Sequence, residues 1–268
     1  MFALEHGSTA PALRAWADGL SVKPTGIVIM SPHWMTPVAT VMTTPQPTTW
    51  HDFGGFPAAL FALQYSALGS PALGQRVAQL LEGQGIRVAQ DDQRPFDHGA
   101  WVPLMHLFPQ ADIPVVQLSL PTDYTPRSVW AMGQAMRSLR EEGVLIIGSG
   151  SMTHNLRELF THGVPPLQAQ AEQYAIDFAR WVEQAITQGT STKDTSTHGT
   201  SQSASDTLFD YQQHAPHALR AHPTDEHFVT LYFALGAAGW GTSAAPAVHY
   251  LSREVMYRYL AMDALVLS

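Results

Sequence analysis

The sequence predicts an α/β fold with a central, mostly parallel or mixed sheet that is flanked by helices. Short apolar runs, typical of buried strands, alternate with longer segments that carry apolar residues at helical spacing. The length agrees with this class, because 268 residues fit one large α/β domain or two small ones. The predicted strands are 26–30, 113–120 and 144–147, and the predicted helices are 71–82, 125–141 and 166–187.

The helix over 71–82 has the clearest local signals. Its apolar residues recur on one face, and Ser70 followed by Pro71 is a typical helix start. Gly83 is the expected stop. With no internal repeat and one alternating pattern, we expect residues 1–268 to form a single domain.

Residues 188–206 differ from the rest of the chain. Ser, Thr and Gly dominate this stretch, and it has no apolar periodicity. Such a composition is typical of a flexible surface segment rather than of a packed element. We therefore predict a flexible Ser/Thr-rich insertion at 188–206.

The charge composition argues against two classes of partner. The formal net charge is −8, and the 14 lysines and arginines form no basic block. This pattern is unlike a nucleic-acid footprint or a polybasic membrane anchor. No apolar run of about 18 residues is present, as a membrane span would need, and the first 20 residues do not resemble a signal peptide. A cytoplasmic protein that binds a small molecule is the expectation, and its oligomeric state is left open.

Metal ligands in this chain must come from His, Asp or Glu, because it contains no cysteine. There are 13 histidines, and three of them follow apolar runs: His6, His33 and His154. Ligands of α/β proteins bind at the carboxyl ends of the strands. These histidines are therefore predicted to converge, although a lone loop histidine is more often bonded to backbone.

Further candidates lie on predicted helix starts and loops. His227 is expected in the first turn of a helix capped by Thr224, with Glu226 as an alternative ligand. His98 follows Asp97, which could orient its imidazole toward a substrate or hold it in a plain loop. The segment HDFGGFP at 51–57 indicates either a shaped loop over a pocket or a structural turn.

Taken in order, seven motifs resemble the class III extradiol ring-cleaving dioxygenases, in particular the 4,5-DOPA extradiol dioxygenase group. Together they span nearly the whole chain, which makes the resemblance specific. The motifs are HGST (6–9), SPHW (31–34), HDFGGFP (51–57), GSPAL (69–73), DHGAWVPL (97–104), GSGSMTHNLR (148–157) and PTDEHFVTLYFALGA (223–237).

The resemblance implies a non-haem Fe(II) enzyme that opens the ring of a catechol with O2, as in aromatic compound catabolism. By this resemblance the metal ligands are His6, His33 and His227. His154 is the acid/base histidine, which some descriptions also count as metal-binding, and His98 lies near the substrate. Zn(II) fits the same ligands, so zinc found in purified protein would not by itself establish a zinc enzyme.

Two residues depart from the family pattern. Thr9 stands where the family usually has proline, and Pro32 stands where it often has alanine. Relatives that act on protocatechuate-like substrates use a glutamate as third ligand, which keeps Glu226 open. Two other functions stay open as well, namely a zinc hydrolase built on the same histidines and a non-catalytic binding protein of the same fold. The sequence does not specify the catechol or the ring position cleaved.

Overall fold

The computed structural model describes residues 3–4, 7–161, 163–189, 204–242 and 245–268. A five-stranded sheet lies at its centre. The strands of this sheet are β1 (Gly26–Thr36), β2 (Ala39–Met42), β3 (Val88–Asp91), β4 (Val115–Pro121) and β5 (Val144–Gly148). Their order is β3-β2-β4-β1-β5, and all neighbours are parallel except β2 and β4. The predicted class, a mostly parallel mixed sheet flanked by helices, is therefore confirmed.

Helices cover both faces of the sheet. In chain order they are α1 (Thr9–Asp18), α2 (Ala58–Phe61), α3 (Pro71–Gly83), α4 (His98–Leu107), α5 (Pro126–Ala135), α6 (Arg137–Glu141), α7 (Leu156–Thr161), α8 (Gln173–Gly189), α9 (Ala204–Phe209), α10 (Tyr211–His214), α11 (Ala218–Ala221) and α12 (Glu226–Ala238). The C-terminal segment adds two small antiparallel pairs, formed by β6 (Val248–Ser252) with β9 (Ala264–Leu267) and β7 (Val255–Met256) with β8 (Leu260–Ala261).

Strand β1 is apolar throughout its first half because both of its faces are buried. Side chains alternate across a strand, so Val28 and Met30 pack into one hydrophobic cluster and Ile27 and Ile29 into the other. All four are fully buried. The first cluster includes residues of α3, α5, α8 and α12, and the second includes residues of α4. A continuous apolar run is the expected pattern for such a strand.

Several predicted boundaries were confirmed and others were wrong. Helix α3 begins at Pro71, and the Ser70 hydroxyl accepts the Leu73 N–H at 3.2 Å. The helix predicted from 166 begins only at Gln173. In the preceding segment the Leu167 carbonyl instead accepts a backbone N–H of Tyr257 at 2.8 Å. The helix predicted over 125–141 is two helices, α5 and α6.

Strand β1 extends further than the predicted 26–30. Its pairing with β4 shifts between Met30 and Met35 and then resumes up to Thr36. His33 therefore lies within the irregular part of the strand and not after its end. A local break in the ladder of this kind re-aims side chains and is frequent beside functional sites.

Most of the predicted insertion at 188–206 lies outside the described residues, which omit 190–203. Its described edges are helical, since α8 ends at Gly189 and α9 begins at Ala204. Within the part of the chain that the structure describes, no helix combines the length and apolar character that crossing a membrane requires.

Candidate active site

Four of the five predicted histidines meet beside the irregular part of β1 and the carboxyl end of β5. The ring centroid of His33 lies 3.9 Å from that of His98 and 5.0 Å from that of His227. His154 and His227 stack at 3.5 Å between centroids, with 11° between their planes. Their positions in the chain span nearly 200 residues, so only the fold brings them together. The fifth, His6, lies outside the described residues.

The donor atoms of this cluster fall into two groups, each small enough to surround a metal ion. His33, Asp52 and His98 form one group, and His154, Glu226 and His227 form the other. Within each group the potential ligand atoms lie within 4.8 Å of one another. Imidazole nitrogens and carboxylate oxygens are the donors that Fe(II) and Zn(II) accept from proteins without cysteine. The side chains therefore fit a divalent metal.

His227 is oriented by its neighbour Glu226. The ring Nδ1 lies 3.0 Å from Glu226 Oε1. A carboxylate only accepts hydrogen bonds, so Nδ1 carries the proton and Nε2 keeps its lone pair. This is a usual arrangement around metal-binding histidines. Hydrogen bonding by His227 lowers the pKa of Glu226 to about 2, so this carboxylate is anionic at neutral pH.

The start of α12 differs from the predicted cap. Asp225, not Thr224, is the N-cap residue, and the Thr224 hydroxyl donates to Glu226 Oε1 at 3.1 Å. The Asp225 carboxylate accepts hydrogen bonds from the hydroxyls of Tyr124 at 2.6 Å and Tyr211 at 2.7 Å. The predicted position of His227 in the first helical turn is nevertheless confirmed.

Burial keeps two of the histidines neutral. Burial lowers the pKa of His33 to about 3, and the nearby rings of His98 and His227 contribute in the same direction. Burial likewise lowers the pKa of His154 to about 3, with a further contribution from His227. A neutral imidazole has one nitrogen lone pair available for a metal ion or a proton. At neutral pH both rings therefore offer a lone pair to the site.

The loop that carries His154 packs directly on the helix that carries His227. The backbone N–H of Ser151 donates to the His227 carbonyl at 3.0 Å, and the N–H of His154 donates to Ala221 at 2.9 Å. A Cβ atom at Gly150 would lie 2.0 Å from the His227 carbonyl oxygen. Only glycine permits this approach, so the backbone fixes the two histidines relative to each other.

The carboxylate that orients His98 is Asp52, and the prediction that Asp97 does so was wrong. Asp52 Oδ1 accepts the backbone N–H of His98 at 2.9 Å and lies 2.8 Å from its ring Nδ1. Asp97 instead caps α4, where its carboxylate accepts the Ala100 N–H at 3.1 Å. An N-cap side chain points back toward the helix N–H groups and therefore away from the next side chain.

Asp97 instead links β1, β4 and the start of α4 beneath the site. It is fully buried and accepts hydrogen bonds from Ser31 of β1 at 2.7 Å, from Gln117 of β4, and from Arg94 at 2.8 Å. The Ser31 hydroxyl also accepts the backbone N–H of His33 at 3.2 Å. The carboxylate thus ties the strand that carries His33 to the helix that begins with His98.

We expect Asp97→Ala to lower the free energy of unfolding by about 3–5 kcal/mol, because removing one partner of a buried ion pair leaves the other uncompensated. The Arg94 side chain is only 11% exposed. Urea unfolding of the metal-free protein measures the effect. The exposed Asp92→Ala is the control, expected within about 0.5 kcal/mol of the native chain. A loss below about 1 kcal/mol for Asp97→Ala would contradict this role.

Aromatic side chains line the site beside His98. The ring of Phe53 meets that of His98 edge to face at 5.4 Å between centroids, and Phe56 and Trp101 lie 5.5 and 6.4 Å from Phe53. The HDFGGFP segment therefore contributes a carboxylate and an aromatic wall rather than a plain turn.

The residues that follow His6 in the chain are held by the C-terminal segment. Glu254 accepts the backbone N–H groups of Ser8 and Thr9, each at 2.9 Å, and the Thr9 hydroxyl at 2.9 Å. Proline, which the resembled family usually has at this position, has no N–H to donate. Thr9 thus replaces it with a hydrogen-bonded anchor.

Sequence reasoning missed the bond of Asp52 to His98 and the role of Glu254 in holding the segment that follows His6. Asp52 lies 46 residues from His98, and Glu254 lies 246 residues from Ser8. The only available signal was that Asp52 belongs to the HDFGGFP segment.

Comparison with known proteins matches residues 6–259 to a family model described as the catalytic LigB subunit of aromatic ring-opening dioxygenase. Proteins named 4,5-DOPA dioxygenase extradiol are similar to the chain. The protein from Beta vulgaris is 40% identical, covering 87% of this chain and 80% of that protein. The protein from Escherichia coli K12 is 36% identical, covering 87% and 83%. A crystal structure of an uncharacterized protein from Escherichia coli K12 superimposes with a TM-score of 0.74 at 28% identity, covering 96% of this chain and 91% of that one.

Proposed function

Because the chain belongs to the LigB family of aromatic ring-opening dioxygenases and is an extradiol ring-cleavage dioxygenase, we propose that its substrates are catechols and that it depends on Fe(II). The observation that carries this proposal is the convergence of four histidines, with ring centroids of neighbouring members 3.5–5.0 Å apart, at one edge of the sheet. We further propose that residues 1–268 act as one catalytic domain.

The metal would be held by His6, His33 and His227. His33 and His227 each present a ring to the same space, and Glu226 orients the ring of His227. Three protein ligands leave open positions at which Fe(II) brings a catechol and dioxygen together. Glu226 hydrogen-bonds the ring of His227. This contact supports a role in orienting that ligand rather than in binding the metal itself. Zn(II) fits the same donors, so zinc in purified protein would not identify the native ion.

His154 is the proposed proton-transfer group. It lies in the cluster, its ring stacks on His227, and its backbone is pinned to Ala221. A catechol must lose a proton to chelate a metal, and a histidine is the usual side chain for this step near neutral pH. His98 would contact the bound substrate from the side formed by Phe53.

A DOPA-like catechol is the proposed substrate. Two relatives above 35% identity are named for 4,5-DOPA. The partly exposed rings of Phe53 and Phe56, the first of which packs on the buried Trp101, support a planar ring as the occupant, since aromatic rings pack favourably edge to face and in offset stacks. We propose a cytoplasmic location on the grounds of sequence composition alone.

The test is a panel of catechols supplied in air to protein reconstituted anaerobically with Fe(II). The panel contains DOPA, caffeate and unsubstituted catechol, with tyrosine as the control that lacks the second hydroxyl. We expect oxygen uptake together with a yellow ring-cleavage product for at least one catechol and for none of the tyrosine samples. Absence of oxygen uptake with every catechol would reject the proposal.

Two further outcomes separate the alternatives. A zinc hydrolase would cleave a hydrolysable substrate without oxygen when loaded with Zn(II), because zinc activates bound water. A non-catalytic binding protein would bind a catechol without oxygen uptake and without forming a yellow ring-cleavage product, whichever metal is loaded.

A further inference from the structure

We propose that Asp52 is a positioning residue that holds the His98 ring in one tautomer and one orientation toward the substrate. This inference rests on the proposed function, in which His98 contacts the bound catechol. The bonds between Asp52 and His98 are observed in the structure, whereas their effect on the substrate is inferred.

One oxygen of Asp52 bonds both the backbone and the ring of His98. Oδ1 accepts the His98 N–H at 2.9 Å and lies 2.8 Å from Nδ1. The backbone bond fixes the carboxylate relative to the first residue of α4. The same oxygen then determines where the ring can lie. Two bonds to one oxygen define an orientation that a single side-chain contact would leave free.

This contact also selects the tautomer. An ionised carboxylate has no hydrogen to donate, so the proton of a neutral His98 ring must be on Nδ1. The backbone N–H of His98 bonds the same oxygen, which confirms that this oxygen acts as an acceptor toward His98. Nε2 is therefore left with a lone pair that can accept a hydrogen bond from a catechol hydroxyl.

Burial and neighbouring rings restrict the ring further. The Asp52 side chain is 8% exposed and that of His98 is 30% exposed, so the carboxylate lies behind a ring that still reaches the site. His33 and Phe53 pack against His98, with centroids 3.9 and 5.4 Å away. Asp52 Oδ2 also lies 3.9 Å from His33 Nδ1, beyond hydrogen-bond distance. Of these two histidines, Asp52 therefore hydrogen-bonds only His98.

Asp52→Ala tests the inference, because alanine removes the oxygen that accepts both hydrogen bonds from His98. The first readout is independent of activity. In Zn(II)-loaded protein labelled with ¹⁵N-histidine, NMR distinguishes a protonated from an unprotonated ring nitrogen, and His98→Gln assigns the signals. We expect His98 Nδ1 to be protonated in the native chain and the two tautomers to be mixed in Asp52→Ala.

The second readout is kinetic. In Fe(II)-loaded Asp52→Ala we expect kcat on the best catechol to fall by about 10²-fold, the usual cost of a misplaced catalytic contact, with metal content unchanged. Asp52→Glu retains the carboxylate and should restore the native tautomer. Asp52→Leu, which also lacks an acceptor but fills more of the space, is the variant to use if Asp52→Ala fails to fold. Asp91→Ala is the matched control, since the Asp91 carboxylate bonds Gln93 and its loss is expected to leave spectrum and rate unchanged.

The outcomes separate this inference from the proposed function. A native tautomer and native kcat in folded Asp52→Ala or Asp52→Leu would overturn the role of Asp52, as would loss of the bound metal. A shifted tautomer in a protein that cleaves no catechol, even in its native form, would support the positioning role and reject the proposed function.

Discussion

Replacing His154 with glutamine is expected to slow ring cleavage by about 10²–10⁴-fold, the usual worth of a positioned proton donor or acceptor. The metal should remain bound, because the proposed ligands His6, His33 and His227 are all retained. The measurement is metal content per chain beside the steady-state rate on one catechol. Glutamine fills most of the space of the ring, so the stacking contact with His227 is only partly lost.

The control for this experiment is His249→Gln, because His249 is exposed on β6 and belongs to neither group of potential metal ligands. We expect this variant to keep both its metal and its rate. Complete loss of metal from His154→Gln would make His154 a ligand, as some descriptions of the family have it. Full activity of His154→Gln would show that His154 does not transfer the proton, and His98 would then be the candidate for that role.

Replacing His33 with alanine is expected to weaken metal binding by more than about 100-fold. Removing a residue that hydrogen-bonds a metal ligand already lowers metal affinity by about 10–100-fold. Removing one of three ligands should therefore lower the metal affinity by more than that. Competition with a chelator, followed by elemental analysis, measures the affinity without reference to activity. His6→Ala is expected to have the same effect.

The matched control here is His214→Ala, since His214 is exposed on α10. His33→Gln is the second variant, because the larger side chain fills more of the space left in β1 if the alanine variant is unstable. Native affinity in folded His33→Ala and His33→Gln would remove His33 from the ligand set.

Local patterns in the sequence were enough to predict the fold class and to single out histidines that cluster in the structure. A run such as 26–30 is apolar because both faces of the strand are buried, and Ser70 followed by Pro71 marks a helix start that the structure confirms. The placement of His33 and His154 in one cluster could also be predicted, because parallel strands end at the same edge of a sheet. His227 lies instead in the first turn of α12, which the fold brings to that edge.

Features that depend on distant partners required the tertiary structure. Strand β1 continues to Thr36 because it pairs again with β4, and α8 starts late because the segment before it bonds the C-terminal chain. Neither cause lies within the window of a local pattern. The same limitation applies to side chains that bond across the fold.

The orientation of His98 is the clearest case. Adjacency in sequence favoured Asp97, but cap geometry directs that carboxylate toward Ala100 and Ser31. The partner is Asp52, which folding brings to the start of α4 from 46 residues away. The sequence by itself determined which residue types supply the chemistry. Only the tertiary structure decided which carboxylate faces which imidazole, because hydrogen bonds depend on atomic distance and direction rather than on separation along the chain.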